Sequence, residues 1–469
     1  MPILFRVLRP GHIIALCALG LLSLGLVMVT SAGMRIEPIA ADGSVPATMP
    51  RTIFDVLVSA NLLRSLAYMV LALGAMWAAS RLPIRRILTV VRHEHGHANR
   101  PQALVILAAA TSGMLAILAL VYIPGLAPEI NGARRWLRLP IPGVGVVSIQ
   151  VSEIAKWGMV GVLAAYATCQ GPRLRQFITG LAPGLVALGL VAAIIVLEDL
   201  GTAALIVVVG AMILWAGGAK WQHFLAFAPP AIAGLLAAVW FSPYRVARLI
   251  AFLDPYSDPQ GIGYHMIQSM RAVAAGEGAG RGLGFGLQKY GYLPEDTTDF
   301  LFAIICEELG LAGAFMVVAL FAGLLTAGLW VIRREPAVMG KLLGLGILLT
   351  VGLQAVINLI VVTGVGPTKG IALPLVSAGG TGWILTAASL GLLIAMDRDH
   401  EIRSPTIREG FAAHFGVIGT LVQFVTKNLR HGPSDAHHAT AAADTQALPH
   451  VRASDAASSS GHASGLAST

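Results

Sequence analysis

Acidic residues suited to proton transfer or charge pairing cluster between Tyr292 and Gly310, in the stretch YLPEDTTDFLFAIICEELG. Five carboxylates (Glu295, Asp296, Asp299, Glu307 and Glu308) stand beside and inside an apolar run, in a chain with only 24 Asp and Glu among 469 residues. A carboxylate in hydrocarbon is costly, so acids so placed serve charge pairing or proton transfer. A helix beginning near Thr298 would align Asp299, Ala303, Cys306 and Gly310 along one stripe. Glu307 would then lie about 80° and Glu308 about 180° from Asp299, from the 3.6-residue repeat. The three acids can line one cavity only if the helix breaks. Asp299 is therefore expected to face an aqueous outer site, with at least one of the glutamates paired to a basic or hydroxyl group on a neighbouring helix.

Further polar groups sit at the ends of apolar runs. Glu153 and Lys156 are spaced i, i+3 on one helix face and fit either an ion pair or a site. Glu198 and Asp199 occupy a very short linker, as solvated acids or as part of a site rim. Gln354 and Asn358 lie one turn apart, and the following loop, VGPTKGIALPLVSAGGTG, carries Lys369 and Ser377. The loop NGARRWLRLPIPGVGVVSIQVSEIAK holds Arg134, Arg135 and Arg138. A longer loop, from Ser242 to about Phe300, holds Arg245, Arg248, Arg271, Arg281 and Lys289.

Membrane spans carry these polar groups. Hydrophobic residues make up 56% of the chain, in repeated runs near the roughly 20 residues that a bilayer requires. Ten spans are expected, near 12–31, 62–80, 103–124, 153–170, 177–197, 202–217, 223–241, 302–331, 342–363 and 380–396, the first of them uncleaved. The 202–217 run is short, and the 302–331 run is long enough to tilt or protrude. Lys and Arg recur in every second loop: Arg6 and Arg9; Arg81, Arg85, Arg86, Arg92 and Arg100; Arg173 and Arg175; Lys220; Arg333, Arg334 and Lys341; Arg398, Arg403 and Arg408. By the positive-inside rule both termini are cytoplasmic, and the net charge of +8 speaks of topology and not of nucleic acid. The two arginine-bearing loops break this alternation on the outer side. There they suit an anionic ligand, because a guanidinium donates two parallel hydrogen bonds to phosphate.

The chain is thus an all-α polytopic membrane protein, with a transmembrane domain over 1–400 and a disordered cytoplasmic tail over 401–469, rich in Ala, Ser, His and Asp from His431 onward. The glycines at 276, 278, 280, 282, 284 and 286 match no nucleotide-binding spacing, and both a mobile flap and a compact loop fit them. His93, His95 and His97, and the adjacent His437 and His438, lack zinc-site spacing and read as solvated. Cys17, Cys169 and Cys306 fall in apolar runs and read as free thiols.

Five blocks, NGARRW (131–136), SEIAK (152–156), DLGTA (199–203), YLPEDTTDFLFAIICEELG (292–310) and PTKGIALPLVSAGG (367–380), occur in order across residues 1–400. Together they resemble the SEDS family, the peptidoglycan polymerases typified by FtsW and RodA, and the last block leans toward the division-type FtsW branch. The resemblance implies a glycosyltransferase of the bacterial cytoplasmic membrane that polymerises a lipid-linked disaccharide-pentapeptide (lipid II) at its outer face. It also implies a single-pass class B penicillin-binding transpeptidase as partner, along with other divisome or elongasome proteins. The family's essential aspartate maps onto Asp299. Three departures stand out. Thr297 replaces the family's usual His, Ala378 and Thr381 alter the usual SYGGS loop, and Val151 alters the usual Gln-Pro-Ser-Glu.

On this reading Asp299 deprotonates or orients the acceptor sugar hydroxyl as general base. Arg134, Arg135, Trp136, Lys156, Lys369 and Ser377 are the candidate substrate-binding residues, with cationic members facing the pyrophosphate leaving group. Glu153, Glu307 and Glu308 are supports. No metal ligand and no cofactor is identified, and a divalent cation is compatible with a pyrophosphate. The rival class is a lipid II flippase, which calls for polar groups distributed through the membrane midplane. A non-catalytic division scaffold is the third reading.

Overall fold

The computed structural model describes residues 9–33, 60–84, 100–129, 134–141 and 145–401. The tail beyond 401, the loop with His93, His95 and His97, and residues 131–133 of the NGARRW block lie outside the described residues. All ten expected spans are helical. They are α1 (Pro10–Ala32), α2 (Ala60–Arg81), α3 (Arg100–Ala119), α4 (Val151–Gln170), α5 (Ala182–Glu198), α6 (Leu200–Ala216) and α7 (Trp221–Trp240), followed after the outer loop by α10 (Leu301–Arg334), α11 (Val338–Val362) and α12 (Gly380–Glu401). Two shorter helices, α8 (Pro243–Leu253) and α9 (Tyr264–Ala275), form part of the long loop between α7 and α10. Eight of the helices are long and apolar enough to cross a membrane. The other two are α6, apolar but only 17 residues long, and α4, which carries Glu153 and Lys156 in its first two turns.

The first and last spans register the bundle. The Gly11 amide donates to Asp397 Oδ2 at 3.0 Å, so the start of α1 and the end of α12 share one face. Arg398 donates to the carbonyls of Ser80, in the last turn of α2, and Leu82, just past it, on that same face. The other end of α1 meets Glu308 through Ser31 on the opposite face.

Two local features go beyond the expected pattern of spans and loops. Residues 136–150 form an antiparallel hairpin, β1 (Trp136–Ile141) with β2 (Gly145–Gln150), in which Trp136 faces Gln150 and Arg138 faces Ser148. The Arg138 amide donates to the Leu126 carbonyl at 3.1 Å, which ties the hairpin to the end of the α3 region. The long α10 breaks at Gly310, where φ is 61° and ψ is −154°. Glycine alone adopts such a conformation without steric cost. The run that looked long enough to tilt or protrude is two segments, of which Leu311–Arg334 by itself suffices to span.

Candidate functional site

Asp299 precedes α10; it is not inside it. Phe300 is the N-cap, and the residues before it close a turn in which the Thr298 and Phe300 amides both donate to the Glu295 carbonyl at 3.2 Å. Glu295 sits at φ 57°, the left-handed region that a non-glycine side chain seldom occupies. The Thr298 hydroxyl donates to Glu295 Oε2 at 2.8 Å. Two long-range bonds hold this turn. The Asn358 amide nitrogen donates to the Asp299 carbonyl and to the Ile371 carbonyl, each at 2.8 Å. The Ala378 amide donates to the Thr297 carbonyl at 2.9 Å. One side chain of α11 therefore fixes both the Asp299 turn and the PTKG loop.

Beside Asp299 lies a cavity of about 310 Å³. Its polar lining comprises Tyr244 and Arg248 of α8, Asp258, His265 of α9, Glu295, Asp299, and Thr368 with Lys369. Arg248 donates to the Thr368 carbonyl at 3.3 Å, bonds the Tyr244 hydroxyl, and lies 4.5 Å from the Tyr244 ring centroid. Arg245 anchors α8 through the carbonyls of Ala238, Val196 and Leu197, at the ends of α7 and α5.

Burial raises the Asp299 carboxyl from the ordinary 3.8 to about 7. The Glu295 charge adds to the rise and Arg248 opposes it; more weakly, Asp199 raises and Arg135 lowers. Such a carboxyl is poised near neutral pH, where a general base is most effective. Arg135 approaches from the hairpin side. A Cβ placed on Gly370 would meet Asp299 Oδ2 at 3.0 Å and Arg135 Nη1 at 3.8 Å. The Arg135 Nε is buried without a hydrogen-bond partner.

The structure thus brings Asp299, Arg135 and Lys369 together. The remaining expected site residues lie elsewhere. Arg134 is exposed, 3.6 Å from Glu129, with its amide donating to Glu198 at 2.7 Å. Trp136 opens β1. Lys156 is enclosed within the bundle, donating to Glu153 Oε1 at 2.7 Å and Gln354 Oε1 at 2.9 Å, so its charge is spent on an ion pair. The Ser377 hydroxyl accepts from the Leu373 amide at 2.9 Å and braces its own loop. Asp199, left open between solvent and site, caps α6 by accepting from the Thr202 amide and hydroxyl.

Glu307 and Glu308 meet the glycine-rich loop, which is compact. Glu308 accepts from Ser31 at 2.8 Å, from Lys289 Nζ at 2.8 Å and from the Gly284 amide at 3.0 Å. Glu307 accepts from the Leu287 amide at 2.8 Å, with Arg281 Nε at 3.8 Å. The loop closes on the α10 break: the amides of Arg281 and Gly282 donate to the Glu307 and Glu308 carbonyls, and the Leu311 amide donates to the Gly278 carbonyl. Among the described residues, no group of three or more His, Cys, Asp and Glu is placed to hold a metal ion, and the three cysteines are free.

Arg248, Tyr244 and His265 line the cavity without having been expected there. The available signal was α8 itself: an 11-residue segment, PYRVARLIAFL, with two arginines one turn apart in an otherwise apolar helix.

Residues 12–402 match the family model of FtsW, RodA and SpoVE, described as cell cycle proteins. A probable peptidoglycan glycosyltransferase FtsW of Thioalkalivibrio sulfidiphilus is 37% identical over 407 residues, 85% of this chain and 91% of the relative. Another, of Nitrosococcus halophilus, is 41% identical over 298 residues, 62% of this chain and 75% of the relative. Stage V sporulation protein E of Bacillus subtilis is 37% identical over 286 residues, 60% of this chain and 76% of the relative. Among solved structures, a chain of a peptidoglycan synthase complex coordinating polymerization and crosslinking superposes with a TM-score of 0.59 at 26% identity, over 82% of this chain and 97% of that one. The rod shape determining protein RodA of Thermus thermophilus shares the fold, with a TM-score of 0.52 at 23% identity over 82% of this chain and 96% of that one.

Proposed function

Because the chain belongs to the FtsW/RodA/SpoVE (SEDS) family, we propose that it is a peptidoglycan glycosyltransferase acting on lipid II at the outer membrane face, with Asp299 as general base. The observation that carries the residue assignment is the raised Asp299 carboxyl opening on a cavity walled by Arg248 and Lys369. A polyprenyl-pyrophosphate leaving group develops negative charge, and these cations, with Arg135 near by, stand where it can be neutralised. The cavity admits an acceptor hydroxyl to Asp299, which takes its proton as the new glycosidic bond forms.

The polar groups deeper in the bundle favour this reading over lipid translocation. Gln354 bonds Lys156 and the Ala372 carbonyl, Asn358 bonds two loop carbonyls, and Glu307 and Glu308 bond the glycine-rich loop. These side chains are committed to protein partners and offer no row of open polar groups across the membrane. The kinship with a chain of a peptidoglycan synthase complex supports a transpeptidase partner for this chain, of the single-pass penicillin-binding class. The PTKG block and the FtsW relatives support the division-type branch.

The test is glycan polymerisation from lipid II by the purified full chain, with and without its transpeptidase. Wild type lengthens glycan, while Asp299→Asn and Asp299→Ala do not. Polymerisation retained by both variants would refute the role of Asp299. A wild type that moves lipid across vesicles without lengthening glycan would refute the enzyme.

A further inference from the structure

Beyond the acid and its cations, the cavity holds an imidazole. His265 lies in the first turn of α9 and lines the same space as Asp299, Arg248 and Glu295. Its ring stacks on Phe300, the residue after Asp299, with centroids 6.1 Å apart and planes 30° apart. Tyr264 meets it edge-on at 6.5 Å. Face stacking fixes a ring and leaves its nitrogens, which lie in the edge, for other partners. Among the described residues, no hydrogen bond occupies either nitrogen. The imidazole is half-buried and held in place, and its nitrogens are open to a partner from outside the protein.

The neighbours constrain what that partner is. Arg248 and Glu295, two of the charged groups that act on Asp299, also act on His265. Burial and Arg248 hold the imidazole below its ordinary pKa, against Glu295, so the ring is neutral near pH 7. A neutral imidazole offers one donor and one acceptor. A sugar hydroxyl offers the complementary pair, whereas a phosphate only accepts and is better served by Arg248 and Lys369. Thr297, two residues before Asp299, brings no imidazole, and its carbonyl is taken by Ala378.

We infer that His265 is a further substrate-contacting residue of this site, hydrogen-bonding the acceptor sugar and holding its hydroxyl against Asp299. The inference deepens the proposed function and rests on it. Three variants of the full chain test it. His265→Phe keeps the stacked ring and removes both nitrogens, and His265→Gln restores one donor and one acceptor. The expected result is a loss of about tenfold or more in kcat/KM for His265→Phe, the scale of one hydrogen bond, and activity within a few-fold of wild type for His265→Gln, with unchanged thermal unfolding in both. Equal activity of the two variants, whether high or low, would overturn it, because ring packing alone would then account for the residue. The third variant, Asp299→Asn, separates the two ideas. Lipid II binding to Asp299→Asn in nanodiscs should weaken several-fold when His265→Phe is added, and unchanged binding counts against His265 contact even if glycan polymerisation is confirmed. Polymerisation by Asp299→Asn counts against the proposed base alone.

Discussion

Lys289 Nζ lies 2.8 Å from Glu308 Oε1, and both side chains are wholly enclosed. The pair joins the glycine-rich loop to α10, and Ser31 of α1 hydrogen-bonds both partners. Such a pair costs desolvation to form, yet removing one partner strands a buried charge. Lys289→Met is expected to destabilise the protein by about 3–5 kcal/mol, read as a lowered unfolding temperature in detergent. An unchanged unfolding temperature would show that the amides of Gly284 and Gly286 suffice to hold Glu308.

The raised Asp299 carboxyl sets the sign of the pH dependence. With Asp299 as the proposed base, its ionised form is the active one, so polymerisation should rise with pH through about 7 and level off above it. Glu295 raises the carboxyl and Arg248 lowers it. Glu295→Gln should therefore move the rising limb toward acid and Arg248→Gln toward alkali. Shifts in the same direction would contradict the charge arrangement. The same carboxyl affects stability. The folded state binds the proton more tightly than the unfolded chain, so this contribution is full below about 3.8 and is lost as pH rises through about 7. Asp299→Asn should gain stability relative to wild type at pH 8 and not at pH 4, in thermal unfolding at the two pH values.

Gly310 has a left-handed backbone, and a Cβ there would press on the Gly280 amide and come 2.7 Å from the Gly278 carbonyl. Gly310→Ala is expected to cost at least about 2 kcal/mol, from backbone strain and from lost closure of the loop. Gly189, helical and with nothing within 4 Å of its added Cβ, is the control, and its alanine variant should be neutral or stabilising. Comparable losses at both positions would remove the argument from the α10 break.

Gly370 packs against the proposed base. Its added Cβ would stand 3.0 Å from Asp299 Oδ2, tighter than ordinary packing, so the carboxylate must shift. Gly370→Ala should lower kcat about 10- to 100-fold, the cost of misplacing a reacting group by a fraction of an ångström to an ångström, with thermal unfolding unchanged. Wild-type kcat in this variant would place the reactive carboxylate elsewhere.

Much of this architecture is legible from local chemistry. Bilayer thickness sets the length of an apolar run, so ten helices could be placed from hydropathy alone, including the short α6. The expectation that a glutamate pairs on a neighbouring helix follows from the cost of a bare charge, and Glu308 meets Ser31 of α1 accordingly. The i, i+3 spacing of Glu153 and Lys156 is the ion pair itself, which left Lys156 enclosed and away from the cavity. The hairpin was harder to read, because Pro140 and Gly145 interrupt its alternation and it is fixed in part by a bond to Leu126.

The spans, the alternation of charge between their loops and an acid at the mouth of an apolar helix could be read locally, because each depends on residues near one another along the chain. What that acid faces emerges only when the chain folds. Arg248, His265 and Lys369 line the cavity beside Asp299 from three separate segments, and the Asn358 amide holds the Asp299 turn and the loop that carries Lys369. Whether a carboxyl titrates near 4 or near 7 depends on how much water and which charges those segments leave beside it. That is a property of packing between distant parts of the chain, and no local spacing encodes it.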